Sequence, residues 1–406
     1  MNKKTVKDID VRGKRVLVRV DFNVPLDKSR NITDDRRIVA ALPTIKYLVD
    51  NGAKVILMSH LGRPKADDSG KADAESVAKY NLDPVAAKLS ELLGKPVNKL
   101  NDCIGPEVES ATMALKDGEV LLLENVRFYK AEEKNDPELA AALARLGDIY
   151  VDDAFGAAHR AHASVVGVAR LLPSAAGLLM EKEVSVLQGL LSEPARPFVA
   201  VLGGSKVSDK LKLLGNFQEL VDSMLVGGGM CFTLLKAQGK EIGASLCEDE
   251  LLDEVKGILD GEGAGRATVA LPSDLVVAER FSEDAPSKVV GADAIPAGWM
   301  GLDIGPETVR EFQRNIAGAA TIFWNGPMGV FEWDRFQEGT RAVAEAIASS
   351  SAVKVAGGGD TIAAIEKYGL REHFTHISTG GGASMEMLEG KTLPGVAVLE
   401  SEQGQG

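Results

Sequence analysis

The sequence predicts an α/β protein made of two Rossmann-like three-layer α/β/α domains with mainly parallel sheets, facing one another across a hinged cleft. Three observations carry this reading. At 406 residues the chain exceeds what one ordinary core accommodates. Short apolar runs alternate with helical patterns, and the runs are apolar on both faces, as strands covered by helices on two sides must be. The segments that follow those runs are basic and polar in the first half and glycine-rich in the second, so the two halves are expected to bind different groups.

The predicted strands, in order, are "KRVLVRV", "AKVILM", "EVLLL", "DIYV", "FVAVL", "SMLV", "TIFW" and "VKVA". Between the first two, "DDRRIVAALPTIKYLVDNG" places Ile38, Leu42, Ile45 and Val49 on one helical stripe, with acids in front and Gly52 at the stop. This is a strand–helix–strand unit. The change in character falls near "PSAAGLLMEKEVSVLQGLLSEP", which reads as one helix opened by Ser174 after Pro173 and stopped before Pro194. The expected organisation is therefore a first domain over 1–172, a connecting helix over 173–194, a second domain over 195–389 and a tail over 390–406.

Composition limits the function. With 45% hydrophobic, 26% charged and 5% aromatic residues, the chain reads as soluble, and a net charge of −13 opposes any broad nucleic-acid or anionic-membrane surface. An anion site must be local. Cys103, Cys231 and Cys247 have neither metal spacing nor the number for a disulfide framework, and no apolar run approaches membrane-spanning length. The opening "MNKKTVKDIDVRGK" lacks a signal-peptide core, so the expected location is cytoplasmic.

In open parallel sheets, ligands bind beyond the carboxyl ends of strands. The first half offers "RVDFNVP" (19–25), "SHLGRP" (59–64), "ENVRF" (124–128) and "DAFGAAHRAHAS" (153–164) there. Arg63, Arg127 and Arg160 each lie within a few residues of a strand end and suit a small anion. The second half offers "VLGGSKVSDK" (201–210), "VGGGM" (226–230), "WNGPMGVFE" (324–332), "AGGGDT" (356–361) and "STGGGAS" (378–384), whose bare backbone N–H groups suit phosphates. Lys206 and Lys210 are four apart, so on a helix beginning near Lys206 they would share one face.

Several familiar signatures are incomplete. Phe232, Ile362 and Met385 stand where the third small residue of a dinucleotide fingerprint belongs, and the one GKT, at Gly390 to Thr392, has Met385 in place of the first P-loop glycine. Ser205 and Ser384 each fail G-x-S-x-G at its last glycine. His159 and His162 flank an arginine and lack a third ligand, so zinc is not expected. Asp360 poses a charge problem, since it sits in a glycine turn suited to phosphate. Either it caps a helix, or a cation stands between it and the phosphates.

The motifs "RVDFNVP", "SHLGRP", "DAFGAAHRAHAS", "GGSKVSDK", "FWNGPMGVFE" and "GGGDT" resemble those of phosphoglycerate kinases, in order and spacing along essentially the whole chain. The resemblance implies reversible phosphoryl transfer between 1,3-bisphosphoglycerate and ADP, giving 3-phosphoglycerate and ATP. It implies a triose site at Asp21, Asn23, Arg37, His60, Arg63, Arg127 and Arg160. It implies a nucleotide site at Gly203, Gly204, Lys206, Lys210, Gly227, Gly228, Gly229, Gly301, Asn325, Pro327, Glu332, Gly358, Gly359, Asp360 and Thr361, with Glu332 on the ribose and Asp360 on the nucleotide's Mg²⁺. Ser205 replaces an expected alanine, and "DDRRI" doubles the arginine, where alignment through "IVAALPTI" selects Arg37 over Arg36. The acceptor in the ATP-consuming direction is a carboxylate already ionised near neutral pH, so no general base is required. Charge stabilisation is then expected from Arg37, Lys206 and the N–H groups of Gly380, Gly381 and Gly382, with domain closure about the connecting helix and a tail returning to the first domain. A monomer is implied, with no nucleic-acid or membrane partner.

Overall fold

A computed structural model describes residues 1–261 and 266–401. The chain forms two compact units, Met1–Gln188 together with the chain from Lys391 onward, and Gly189–Gly390.

In the first unit the strands are β1 (Arg15–Arg19), β2 (Lys54–Met58), β3 (Val97–Lys99), β4 (Val120–Leu122), β5 (Ile149–Asp152) and β6 (Ser174–Ala176). Every neighbouring pair is parallel, in the order β3-β4-β2-β1-β5-β6. Successive residues of β1 and β2 are buried without alternation, which requires cover on both faces. The order reverses between β1 and β5, the place where such a sheet opens a crevice beyond its strand ends. The predicted helix runs over Arg36–Asp50, and Gly52 takes φ 73° behind its Asn51 cap. Ile38, Leu42 and Ile45 are buried as expected, Val49 is partly buried against the same core, and Leu48, fully buried, widens the stripe.

The helix expected to open at Ser174 is corrected. Ser174–Ala176 is a strand beside β5, and the helix begins later, at Leu178–Ser192. Small residues after a proline satisfy either reading locally. The strand wins because Tyr150 N donates to Pro173 O at 2.9 Å and Ala176 N to Lys4 O at 2.8 Å, partners remote in sequence. The division between the units falls inside this helix. The described part of the tail lies on the first unit, with Gly395 N donating to Ala158 O at 2.8 Å and Lys4 N to Glu400 O at 2.9 Å. The rest of the tail, residues 402–406, falls outside the described residues.

The second unit contains β7 (Phe198–Leu202), β8 (Ser223–Val226), β9 (Thr268–Ala270), β10 (Asp274–Ala278), β11 (Ser287–Gly291), β12 (Met300–Ile304), β13 (Thr321–Asn325), β14 (Val353–Ala356) and β15 (His376–Ile377). Six form a parallel sheet ordered β15-β14-β13-β7-β8-β9. Its order reverses between β7 and β13. Trp324 of β13 is fully buried with Phe312, Ile316, Val343 and Ile347, and Phe217 meets Phe198 and Phe323. The remaining strands make an unpredicted antiparallel sheet, β11-β10-β12, over a small core of Ala278, Ala285, Leu302 and Phe336. Among the described residues no helix is long and apolar enough to cross a membrane.

Candidate active site

In the first unit, the loops after β1, β2 and β4 are stitched together. Phe22 N donates to Ser59 Oγ at 2.9 Å, Gly62 N to Asn23 Oδ1 at 2.8 Å and Arg127 Nη1 to Gly62 O at 3.0 Å. Asn125 accepts from Leu61 N through Oδ1 and donates to Leu61 O through Nδ2. Gly62 has φ 64°, and a Cβ there would lie 2.2 Å from the Tyr80 ring, so only glycine suits this crossing.

This stitching brings together Asp21, Asn23, Arg37, His60 and Arg127. Arg37 Nη1 donates to both oxygens of the buried Asp21, at 3.0 and 2.9 Å. His60 is buried, with Nδ1 3.0 Å from Arg19 Nη2. Burial, and then the positive charge of Arg19, hold its imidazole well below the usual range. Burial also lowers Arg127, whose Nε lies 3.5 Å from Glu133. Arg63 and Arg160 are exposed. Among the described residues Arg63 makes no ion pair, while Arg160 Nε donates to His159 Nε2 at 3.1 Å. No group of three metal-ligating side chains exists among the described residues, and His162 instead lies 4.0 Å from Glu132.

In the second unit the glycine turns interlock at the point where the strand order reverses. Gly203 N donates to Asn325 O at 2.9 Å, Gly204 N to Pro327 O at 3.0 Å, Gly228 N to Met328 O at 2.9 Å and Met230 N to Gly204 O at 3.0 Å. These turns edge a cavity of about 450 Å³, which Gly204, Gly228, Gly229, Gly301, Pro327, Glu332 and Asp360 line. Its apolar wall comes from Phe232, Leu246, Leu275, Phe281 and Val330, none of which was expected as a binding residue. Asp303, also in the lining, accepts from Ile304 N and Gly339 N, and burial pushes its carboxyl up to about 8. Of the remaining expected residues, Gly203, Gly227, Asn325 and Thr361 are buried, whereas Gly359 is exposed. A Cβ on Gly203 would lie 2.0 Å from Pro327 O, and one on Gly227 2.7 Å from Met328 Sδ. Asn325 donates to Gly357 O at 2.7 Å and accepts from Lys210, so one side chain bridges the turns after β7, β13 and β14. Thr361 Oγ1 accepts from Gly326 N at 2.7 Å.

Two expectations are corrected here. No helix begins near Lys206: the helix is Leu211–Leu220 with Lys210 at its N-cap, so Lys206 and Lys210 do not share a helical face. Lys210 is drawn in against Asn325 and its ammonium is lowered by burial, whereas Lys206 is exposed. Gly203 and Gly204 give their N–H groups to the end of β13 and the turn after it, and Ser208 is held by Glu248 through both N–H, at 3.0 Å, and Oγ, at 2.6 Å. Gly380 N likewise donates to Ser378 Oγ at 3.2 Å, which leaves Gly381 and Gly382, at the start of Gly382–Leu388, as the open part of that turn.

Asp360 is not a helix cap. Gly358 holds that position with φ 94°, and Asp360 lies one turn-step inside Gly359–Lys367, exposed, lining the cavity and making no capping bond.

Strand-end arginines in one unit and backbone N–H turns around a cavity in the other define a nucleotide-using α/β phosphotransferase. Comparison with known proteins sharpens that class. The family described as phosphoglycerate kinase matches residues 6–391. A phosphoglycerate kinase of Moorella thermoacetica is 56% identical over 98% of this chain and 99% of its own, and one of Rubrobacter xylanophilus 57% identical over 99% and 100%. The solved phosphoglycerate kinase of Coxiella burnetii superposes with a TM-score of 0.88 at 43% identity, covering 98% of each chain. The chain belongs to the phosphoglycerate kinase family.

Proposed function

We propose that this chain performs reversible phosphoryl transfer between 1,3-bisphosphoglycerate and ADP, with the triose on the first unit and the nucleotide on the second. Arg63, Arg127 and Arg160 bind the triose anion, Asp21 orients Arg37, and Asn23 and His60 bind beside them. Gly204, Gly228, Gly229 and Pro327 present the phosphate turns, Gly301 leaves room on the base side, and Glu332 receives the ribose. Gly203, Gly227, Asn325, Gly358, Gly359 and Thr361 hold that arrangement.

The observation that carries this reading is the placement of Asp360. A carboxylate at the edge of a phosphate-type cavity, free of capping bonds, fits a hard oxygen-seeking cation better than a bare anion. Mg²⁺ arriving with the nucleotide would supply positive charge to its phosphates, and Asp360 would hold it there. Arg37, Lys206 and the N–H groups of Gly381 and Gly382 neutralise charge on the migrating phosphoryl group, and the acceptor carboxylate needs no base. In-line transfer requires near contact of the two ligands, so the expected outcome in small-angle scattering is a smaller radius of gyration with both substrates than with either alone, and identical curves would remove closure from the reading. The reading includes a cytoplasmic monomer.

A coupled assay of ATP formation from 1,3-bisphosphoglycerate and ADP tests it. Turnover that depends on both substrates and Mg²⁺ supports the proposal. Binding without turnover would leave a scaffold, and NADH binding in a fluorescence titration would favour a dehydrogenase.

A further inference from the structure

Beneath the triose-side residues lies a charged network that the transfer reaction does not itself require. Arg19, the last residue of β1, is fully buried. Its Nε donates to Ser164 Oγ at 2.8 Å, Nη1 to Val20 O at 2.6 Å, and Nη2 lies 3.0 Å from His60 Nδ1. Ser164 in turn binds the buried Glu132, through its hydroxyl and through its N–H at 2.9 Å. Tyr150 OH donates to Ser164 O at 2.9 Å and fixes the backbone there.

The direction of each bond follows from donor chemistry. A guanidinium has five N–H donors and no acceptor, and it stays protonated in proteins. Ser164 has one hydroxyl proton. Because it accepts from Arg19, that proton goes to Glu132. His60 Nδ1 must then offer a lone pair to Arg19, which an imidazolium or an Nδ1–H tautomer lacks.

We propose that Arg19 is a positioning residue that holds His60 as the neutral Nε2–H tautomer, so that His60 faces its ligand only as a hydrogen-bond donor. The groups facing His60 reinforce this. Arg19 from β1, Arg37 from Arg36–Asp50 and Arg127 after β4 are all cationic, and His162 adds a further imidazole. A proton added to His60 would be opposed by the charge of all three arginines. Burial raises the Glu132 carboxyl while the charge of Arg19 draws it back toward the anion, and Ser164 links the two side chains. The ring thus keeps one Nε2–H across the pH range in which free histidine titrates, and a triose anion would find a donor that never reverses. The last clause rests on the triose assignment made above; the tautomer does not.

Two-bond ¹H–¹⁵N spectra of the full chain labelled at its five histidines, with His60 assigned by His60→Gln, test the proposal. The expected wild-type pattern is Nε2–H, unchanged from about pH 8 down to about pH 5.5, across the ordinary imidazole midpoint near 6.5. An imidazolium or Nδ1–H pattern overturns it. Arg19→Lys keeps the charge opposite Glu132 but cannot reach three acceptors at once. In that variant His60 should become a titrating mixture of tautomers, and KM for 3-phosphoglycerate should rise about tenfold or more with kcat and the nucleotide KM little changed. An unaltered His60 pattern in Arg19→Lys removes Arg19 from the role. If that variant does not fold, the wild-type spectrum alone decides. Should His60 show the Nε2–H pattern yet ignore added 3-phosphoglycerate, the triose assignment fails while the hold of Arg19 on His60 stands.

Discussion

Arg36 and Arg37 are adjacent in sequence but serve different acids. Arg36 Nε lies 2.8 Å from each oxygen of Asp34, a neighbour two residues back, while Arg37 reaches across to Asp21 after β1. The first is a local ion pair at the start of a helix. The second carries a cation into the cluster of loops beyond the strand ends. Arg37→Ala is therefore expected to lower kcat on the order of a hundredfold, the scale of a lost donor to transferring charge. Arg36→Ala should stay close to wild type. Steady-state kinetics of both variants check this, and the reverse order would mean that the register through "DDRRI" is off by one.

Asp360→Asn removes a charge without removing volume or a helix cap. It should raise KM for Mg·ATP and Mg·ADP about tenfold or more, as expected when a charged partner is lost, and leave 3-phosphoglycerate nearly unaffected. Kinetics with Mg²⁺ varied read this out. Wild-type turnover with unchanged Mg²⁺ dependence would take Asp360 out of the metal site.

Asp153 gives a pH prediction. Its Oδ1 accepts from Leu179 N at 2.9 Å and Met180 N at 3.3 Å, at the start of Leu178–Ser192, while Oδ2 is buried without a partner. Burial pushes the carboxyl up from 3.8 to about 8. Between those values the folded chain holds a proton that the unfolded chain has released, so stability present at low pH is lost as pH rises, by up to about 1.4 kcal/mol per pH unit, and the loss levels off above the folded value. Asp153→Asn keeps the Oδ1 bonds and should flatten this slope between about pH 7 and about pH 8. Unfolding of the two proteins across that range measures it; equal slopes would show that Asp153 is ionised when folded.

Gly203 and Gly215 separate two kinds of glycine. A Cβ on Gly203 would meet the Pro327 carbonyl oxygen at 2.0 Å, whereas one on Gly215, in Leu211–Leu220, meets nothing within 4 Å. Gly203→Ala should cost about 1–3 kcal/mol or more through forced backbone movement. Gly215→Ala should stabilise by roughly 0.4–1 kcal/mol. Thermal melts of both variants provide the comparison, and a harmless Gly203→Ala would deny that the turns interlock.

What could be read from the chain depended on where each residue finds its partners. All eight apolar runs are strands, because central strands of a covered parallel sheet are buried on both faces and must be apolar throughout. The strands that escaped notice are short or partly exposed. Val97–Lys99 carries Asn98 and Lys99, His376–Ile377 is two residues long, and Ser287–Gly291 is largely uncovered. Ser174–Ala176 looked helical because the groups that make it a strand come from Lys4 and from β5, both remote in sequence. The candidate site divides similarly. Glycines and arginines after strands were visible as local patterns. Arg19 was not, since inside an apolar run it reads as one more strand residue, and its meaning comes from Ser164 and His60, far along the chain. Leu246 and Phe281 gave no signal, being ordinary apolar residues whose role comes only from the cavity they border.

The tail pairing also bears on how the protein is made. Glu400 accepts from Lys4 N through its carbonyl and from Lys4 Nζ through its carboxylate at 2.6 Å, and its N–H donates to Ser174 Oγ at 3.1 Å. On a ribosome adding residues at about 5–20 per second, the first unit emerges early but lacks these contacts until all of Gly189–Gly390 has been synthesised. The unit begun first is thus completed last. Thr5 already borders β6, but the contacts of Glu400 stay unmade throughout elongation of the second unit, and docking the tail is the step that joins the two ends of the folding history.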